Sequence, residues 1–196
     1  MKPILVIALV TALTTSAGAQ KMKLIYGDLK PLKGQKSYDI IFNYDSMTVG
    51  TGTREKVYLR QKKSDWEIKE PGRGSDFVEQ WFRDRKRLYE PAFIEKFEHY
   101  SYLKLADPSA KYTLIVKTIN TEGGWNAGIV AHPGEITGEM WVVETADKSN
   151  VIAKVSFFEF TGKVSTGGDF EMTQRIESAY EVTGRWLGDF LRRKTK

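Results

Sequence analysis

The chain has 196 residues, of which 41% are hydrophobic, 28% charged and 12% aromatic, and its formal net charge is +5. This is the composition of a folded globular protein, and because acidic and basic residues are interleaved we expect no nucleic-acid partner. The chain contains no cysteine, which excludes disulfides, thiolate nucleophiles and cysteine-ligated zinc.

The first 19 residues have the pattern of a secretory signal peptide. Lys2 precedes an apolar run over residues 4–13, and small residues occupy positions 17–19. A basic start, an apolar stretch and a small-residue cleavage site together predict cleavage before Gln20. The alternative is a transmembrane anchor, but threonines and a serine interrupt the run, and a spanning helix needs about 20 mostly apolar residues.

Cleavage would leave one domain over residues 20–196, and we expect it to be exported to the periplasm or beyond the cell. A bacterial lipoprotein carries its lipid on a cysteine at the mature N-terminus, and this chain has none. We therefore expect a soluble mature protein that is not a lipoprotein and has no transmembrane helix. Without disulfides, its core has to stabilise it.

Two strands are predicted in the first part of the mature chain. The first covers residues 22–26 and is followed by a loop that contains Gly27, Pro31 and Gly34. The second covers residues 37–44, because its aromatic and apolar side chains alternate with polar ones at period two. The alternating residues are Tyr38, Ile40, Phe42 and Tyr44.

Helices follow these strands. Residues 53–62 are compatible with a strand or a helix, and their good helix formers favour a short helix. After the breakers of residues 71–74, Ser75 and Asp76 offer N-cap oxygens for a helix whose apolar stripe continues to Leu88. Pro91 is in the position of a first-turn proline, which predicts another helix.

Three runs rich in β-branched and aromatic residues predict consecutive strands over residues 112–119, 135–145 and 151–161. A four-residue turn at 147–150 makes the last two an antiparallel hairpin. Apolar residues at helical spacing then predict a C-terminal helix from Met172 to Leu191. The order strand, helices, three-strand meander, helix predicts an α+β fold with a mainly antiparallel sheet and helices packed on one face.

The glycine-containing loop over residues 122–134 is the first candidate contact surface. Its glycines could let the backbone approach a ligand, and Trp125, Asn126 and His132 offer an aromatic face and polar atoms. It does not match a phosphate-binding loop, because no Gly-Lys-Ser/Thr ending or helix follows. The alternative is a long hairpin connection in which Ile129 and Val130 contact the core.

No catalytic, metal or cofactor residues can be assigned from sequence. His99 and His132 are the only histidines, and neither belongs to a zinc-binding motif. The chain has no Gly-x-Ser-x-Gly nucleophile elbow, and Ser165 to Gly168 are interpreted as a turn. A carboxylate pair could serve a glycosidase, but its geometry is not visible in a sequence. We expect no cofactor, and the sequence favours a non-enzymatic role.

A basic cluster on the predicted second helix is the other candidate contact surface. Its cations could meet a phosphate-bearing lipid or another polyanion, although Asp84 interrupts the run and Glu90 follows it. The alternative is a solvated helix face. The four cations are Arg83, Arg85, Lys86 and Arg87.

The five tryptophans divide into two groups. Trp81, Trp141 and Trp186 fall in periodic apolar patterns and are predicted to be core residues. Trp66 and Trp125 stand beside loop residues, and no pattern accounts for them.

Six segments of the chain carry a resemblance: Gly27–Gly34, Phe42–Tyr44, Tyr89–Glu95, Lys111–Lys117, Val143–Asp147 and Arg175–Tyr180. They resemble a group of exported proteins of unknown function from gram-negative anaerobes. The strand order over residues 111–158 is also similar to envelope lipoprotein domains related to the N-terminal domain of TolB and to the curli secretion protein family. The resemblance implies a small α+β envelope domain with no assigned catalytic residues.

Three functions are compatible with these patterns. The first is a non-catalytic binding or assembly module whose partner is another envelope protein or a surface component. The second is an envelope carbohydrate-active hydrolase with a carboxylate pair. The third is an anionic-lipid or polyanion binder that uses the basic cluster. The sequence leaves the oligomeric state open.

Overall fold

The computed structural model of the protein describes residues 21–127, 130–163 and 170–195. The predicted signal peptide and the predicted turn at Ser165 to Gly168 lie outside these residues. The described residues form one seven-stranded sheet and one separate two-stranded hairpin. The strands are β1 (Lys21–Gly27), β2 (Asp39–Asn43), β3 (Thr48–Val49), β4 (Thr53–Arg54), β5 (Tyr112–Glu122), β6 (Trp125–Asn126), β7 (Ala131–His132), β8 (Glu135–Glu144) and β9 (Val151–Thr161).

The helices confirm the predicted order, although their ends differ from those predicted. The helix that was ambiguous with a strand extends to Lys69, and the second begins at Arg73, two residues before the expected N-cap. A π-helical turn over Arg85–Tyr89 joins the second and third helices without a break. The helices are α1 (Glu55–Lys69), α2 (Arg73–Asp84), α3 (Glu90–Ser101) and α4 (Phe170–Thr195).

The sheet has the order β1-β9-β8-β5-β3-β4. Its centre is the predicted meander, in which β5 pairs with β8 and β8 pairs with β9, all antiparallel. β1 adds to β9, also antiparallel. β2 and β3 instead run parallel to β5, which the sequence analysis did not predict. The fold is therefore α+β with mostly antiparallel strands, as predicted.

One face of the sheet forms the core. Leu114, Val142 and Ala153 are register partners across β5, β8 and β9, and all three are fully buried. Helices α3 and α4 contribute buried side chains to the same core, among them Phe93 and Leu187. The predicted one-face arrangement of β2 is confirmed, since Tyr38, Ile40, Phe42 and Tyr44 all contact this core.

Two of the three tryptophans predicted to be core residues are not in the core. Trp141 lies on the opposite face of the sheet, part-exposed, with the Lys154 ammonium 3.7 Å from its ring centroid. Ile115, its register partner on β5, lies on the same face. Trp186 is 37% exposed on α4, beside the Arg185 guanidinium. A cationic side chain lies over each ring. This cation–π contact stabilises an aromatic face outside the core. Trp81 is buried, as predicted.

Candidate functional site: an aromatic pocket at helices α1 and α2

Helices α1 and α2 are held close together by the residues that connect them. Gly72 has φ +88°, a left-handed conformation that glycine adopts without strain. A Cβ at Gly74 would lie 2.1 Å from the Lys63 carbonyl oxygen in α1, so glycine alone permits this approach. The Glu67 carboxylate accepts hydrogen bonds from the backbone N–H groups of Gly72 (2.8 Å) and Gly74 (3.2 Å). The connection therefore sets which side chains of the two helices meet.

The side chains that meet are aromatic. Trp66 of α1 stacks on Phe77 of α2, with ring centroids 6.4 Å apart and planes 11° from parallel. Phe77 lies 6.2 Å from Trp81, and Trp81 lies 5.6 Å from Tyr58 of α1. The four rings form a continuous row between the two helices.

A pocket of about 210 Å³ lies along this row. Aromatic rings form its apolar walls, and the first turns of α4 close one side. Three of the polar lining residues come from α2, and the fourth, Thr173, comes from α4. The lining residues are Trp66, Arg73, Asp76, Phe77, Gln80, Trp81, Met172 and Thr173.

The polar groups differ in what they can donate and accept. The Arg73 guanidinium lies 3.7 Å from the Trp66 ring centroid and its side chain is 47% exposed, so its N–H groups can still reach a ligand. Asp76 offers a carboxylate, and Gln80 offers both a donor and an acceptor. The pocket can therefore stack against a flat apolar face and hydrogen-bond the edges of the same molecule.

A hydrogen bond on the side away from the pocket fixes the orientation of the Trp81 ring. Its indole N–H donates to the Glu55 carboxylate over 2.5 Å. Glu55 also pairs with Arg85, whose guanidinium lies 4.1 Å from the Tyr44 ring centroid. Both members of this ion pair are mostly buried. Because its N–H is already bonded, Trp81 offers the pocket an aromatic surface and no free donor.

The α4 wall is tied to the end of α2 through Asp84. This carboxylate is buried, accepts a hydrogen bond from the Thr173 hydroxyl (3.1 Å) and pairs with the Arg87 guanidinium (2.9 Å). Thr173 is itself a lining residue. The buried Asp84 carboxylate thus holds the start of α4 against the pocket.

The structure brings together the three loop residues predicted as a contact surface. Trp125 and Asn126 form β6, and His132 in β7 is the register partner of Trp125. The two rings stack with centroids 6.2 Å apart, and Trp125 is 50% exposed. Val130 is 55% exposed and does not contact the core as the hairpin alternative expected. Ile129 lies outside the described residues.

The four cations of the basic cluster each pair with a different carboxylate. Their partners lie on the same helical stretch, except for the partner of Arg85, which lies in α1. The pairs are Arg83 with Glu79, Arg85 with Glu55, Lys86 with Glu90, and Arg87 with Asp84. Their charges are therefore compensated within the protein, which weakens a shared attraction for polyanions.

Acidic side chains meet at one end of the sheet. Glu122 and Glu135 are register partners on β5 and β8. Burial raises the pKa of Glu135, and the nearby Glu159 and Glu122 raise it further, while His132 opposes them. In the described residues, no group of three or more acidic or histidine side chains could hold a metal ion.

Sequence reasoning missed the pocket, although it named most of the aromatic residues. Phe77 and Trp81 were interpreted as one apolar stripe, and Trp66 had no interpretation. The signal that could have found the site is the placement of these rings on both sides of a short Pro-Gly connection. Two helices joined so closely pack antiparallel, which brings the end of one next to the start of the other.

Comparison with known proteins gives only distant structural neighbours. No family model and no curated protein matches the chain. One solved structure, the PelC dodecamer from Paraburkholderia phytofirmans, is 9% identical with a TM-score of 0.34, covering 83% of this chain and 96% of PelC. A variant of that dodecamer with one leucine replaced by methionine is also 9% identical with a TM-score of 0.36, covering 85% and 99%. Similarity this low carries no argument on function.

Within the described part of the chain, no helix combines the length and apolar character that crossing a bilayer requires.

Proposed function

We propose that this protein is a non-catalytic binding module of the cell envelope, and that its pocket at α1 and α2 binds a single sugar ring of a glycan. Its export is proposed from the signal-peptide pattern of residues 1–19. Membership of the exported family that the sequence resembles is part of the same proposal. The ligand is proposed from the pocket.

The observation that carries the proposal is the combination of aromatic walls with polar groups at one small pocket. A sugar ring has apolar C–H faces and hydroxyl groups around its edge. The faces can pack on Phe77, which is part-exposed, whereas Phe77 and Arg73 already stack on Trp66. The hydroxyl groups can bond to Arg73, Asp76 and Gln80. The volume of about 210 Å³ is below the roughly 300–1,000 Å³ of sites for drug-sized ligands, which suits one ring.

Saturation-transfer NMR with glucose, N-acetylglucosamine and glucuronic acid tests this proposal. The three sugars share a ring, and the other two each differ from glucose in one substituent, so the polar groups at the pocket should bind them with different affinities. We expect saturation transfer to at least one sugar, and loss of that transfer in the Asp76→Ala/Gln80→Ala variant. Glu79→Ala is the matched control, because Glu79 is exposed on the same helix and does not line the pocket. Equal transfer in both variants would contradict the proposal.

The hydrolase hypothesis stays a prediction. Hydrolysis of a glycosidic bond generally needs two carboxyl groups that flank it, and Asp76 supplies one carboxylate at the pocket. Incubation with oligosaccharides of the bound sugar, followed by a reducing-end assay, separates the two functions. We expect binding without release of reducing ends.

A further inference from the structure

A second surface of the α1 and α2 pair combines apolar and cationic side chains. A groove of about 510 Å³ runs along the outer side of the two helices, and its apolar lining includes Leu59, Val78 and Phe82. A neighbouring groove of about 450 Å³ shares Arg60 and Lys63 with it. The two grooves are therefore continuous along α1. We call the whole surface the outer α1–α2 face.

Large apolar side chains project from or beside the outer α1–α2 face. Ile68 is 83% exposed, Val57 is 50% exposed and Phe82 is 47% exposed. Phe82 lines the first groove and Ile68 lines the second, whereas Val57 lies outside both. The outer α1–α2 face therefore carries two exposed apolar side chains beside its cations.

The charge of the outer α1–α2 face is positive. Lys56, Arg60 and Lys63 line it and make no ion pair with any described residue. Two carboxylates also line the grooves. The charge of Glu55 is compensated by Arg85, whereas Glu67 accepts only from neutral backbone N–H groups at the start of α2 and keeps its negative charge. The three cations outnumber this one carboxylate, so the face keeps a net positive charge, in contrast to the basic cluster.

We propose that the outer α1–α2 face binds the surface of an anionic phospholipid bilayer. Apolar side chains flanked by lysine and arginine are the combination by which helices lie at a membrane interface. The long stems of Lys56, Arg60 and Lys63 can follow the groove while their charged ends meet lipid phosphates. The proposal is independent of the sugar pocket, since Val78 and Phe82 point roughly 100° away from Phe77 and Trp81 on α2.

Both sites can be occupied together. A module held on a membrane surface by one face of α1 and α2 would still present the pocket on the adjacent face. This arrangement would place a glycan ligand next to the bilayer.

Co-sedimentation of the mature protein with vesicles tests the membrane proposal. The probes are vesicles of equal parts phosphatidylglycerol and phosphatidylcholine, with pure phosphatidylcholine as the neutral comparison. We expect binding to the anionic vesicles that weakens as salt rises from about 0.01 to 0.15 M. Equal binding to neutral vesicles, or none to anionic vesicles, would overturn the proposal.

Substitutions that remove positive charge test whether the outer α1–α2 face is the surface that binds the vesicles. Each cation near an anionic bilayer is worth about fivefold in binding, so Lys56→Gln/Arg60→Gln/Lys63→Gln should bind roughly a hundredfold more weakly. Lys33→Gln/Lys36→Gln/Lys148→Gln is the matched control, since it removes the same charge at exposed positions outside the outer α1–α2 face. The control should keep most of the binding. Similar losses in both triple variants would show that net charge alone is responsible and would overturn the assignment.

The apolar contribution is tested separately with Ile68→Ser/Phe82→Ser. This variant should lose the part of vesicle binding that persists at 0.15 M salt, where charge attraction is partly screened. All variants alter exposed side chains, and circular dichroism should show unchanged folding. If polyglutamate binds the outer face while anionic vesicles do not, the occupant is an acidic protein segment and the membrane proposal is wrong.

Discussion

Thr118 and Tyr180 join the sheet to the C-terminal helix inside the core. Their hydroxyl oxygens are 2.7 Å apart, and both residues are fully buried or nearly so. The Tyr180 ring also stacks on Tyr89, which ends the π-helical turn, with centroids 5.4 Å apart. One tyrosine thus connects β5, α4 and the helical stretch that carries the pocket.

Removing one hydroxyl of this pair should destabilise the fold. Burial raises the pKa of Tyr180 to about 12, so its hydroxyl stays protonated and bonded at neutral pH. Tyr180→Phe leaves the Thr118 hydroxyl buried without this partner, and we expect a loss of about 1–3 kcal/mol in the free energy of unfolding. Urea denaturation measures it. The double variant Thr118→Val/Tyr180→Phe should lose less than the sum of the single variants, and strict additivity would contradict a direct bond.

A glycine in α4 allows this helix to approach α3. A Cβ at Gly184 would lie 2.3 Å from the Phe93 carbonyl oxygen. Alanine usually stabilises a helix by about 1 kcal/mol over glycine, but an overlap of this kind costs about 1–3 kcal/mol and has to move the backbone. We expect Gly184→Ala to lower the melting temperature. Gln174→Ala, at an exposed position of α4, is the control and should leave it nearly unchanged.

The buried Asp84 carboxylate should contribute strongly to stability. Asp84→Ala removes the acceptor of the Thr173 hydroxyl and the partner of Arg87. Hydrogen bonds to charged groups are worth about 1.5–3 kcal/mol, so we expect a loss of that size in the free energy of unfolding. Asp65→Ala, on the exposed side of α1, should change it by less than about 0.5 kcal/mol. Equal effects of the two substitutions would contradict a structural role for Asp84.

The pH dependence of stability should report the carboxylates at the sheet end. The pKa of Glu135 is raised above its ordinary 4.5, so the folded state holds this proton more tightly than the unfolded state. Its contribution to stability is therefore lost as the pH rises from 4.5 through the raised pKa. Glu135→Gln should be more stable than the natural protein at pH 7, because burial disfavours the Glu135 charge and nearby carboxylates repel it. Like charges directly opposite each other on neighbouring strands cost roughly 0.2–1 kcal/mol.

At pH 4 this advantage should shrink, because Glu135 is then protonated in the folded protein. Urea denaturation at the two pH values measures the difference. Glu144→Gln on the same strand is the control. A gain for Glu135→Gln that does not change with pH would show that charge is not its cause.

Local patterns were sufficient to predict five of the seven strands of the sheet. The two-residue strands β3 and β4 were not predicted, and β4 lies in the segment that was interpreted as a short helix. Alternation in residues 37–44 and the β-branched runs that form β5, β8 and β9 gave strands at nearly the observed positions. The turn at 147–150 gave the antiparallel hairpin. Each of these patterns is complete within about ten consecutive residues, so it can be recognised in a single sequence without knowledge of distant contacts.

Features that depend on distant contacts could not be predicted in the same way. The parallel pairing of β2 with β5 joins Asp39 to Thr113, and no turn residue marks such a register. Trp141 and Trp186 have core-like periodicity, but cationic neighbours cover their rings at the surface. The pocket depends on the close approach at Gly74, which is visible only once α1 and α2 are placed together.

The central claim is that a sugar ring binds between α1 and α2, and the five tryptophans allow a direct test. Each indole N–H gives its own signal in a two-dimensional proton–nitrogen NMR spectrum, and single Trp→Phe variants assign them. Titration with the sugar that shows saturation transfer should move the signals of Trp66 and Trp81 with one saturable dependence, and leave those of Trp125, Trp141 and Trp186 in place. Movement of the Trp125 signal alone, or of none of the five, would contradict the account.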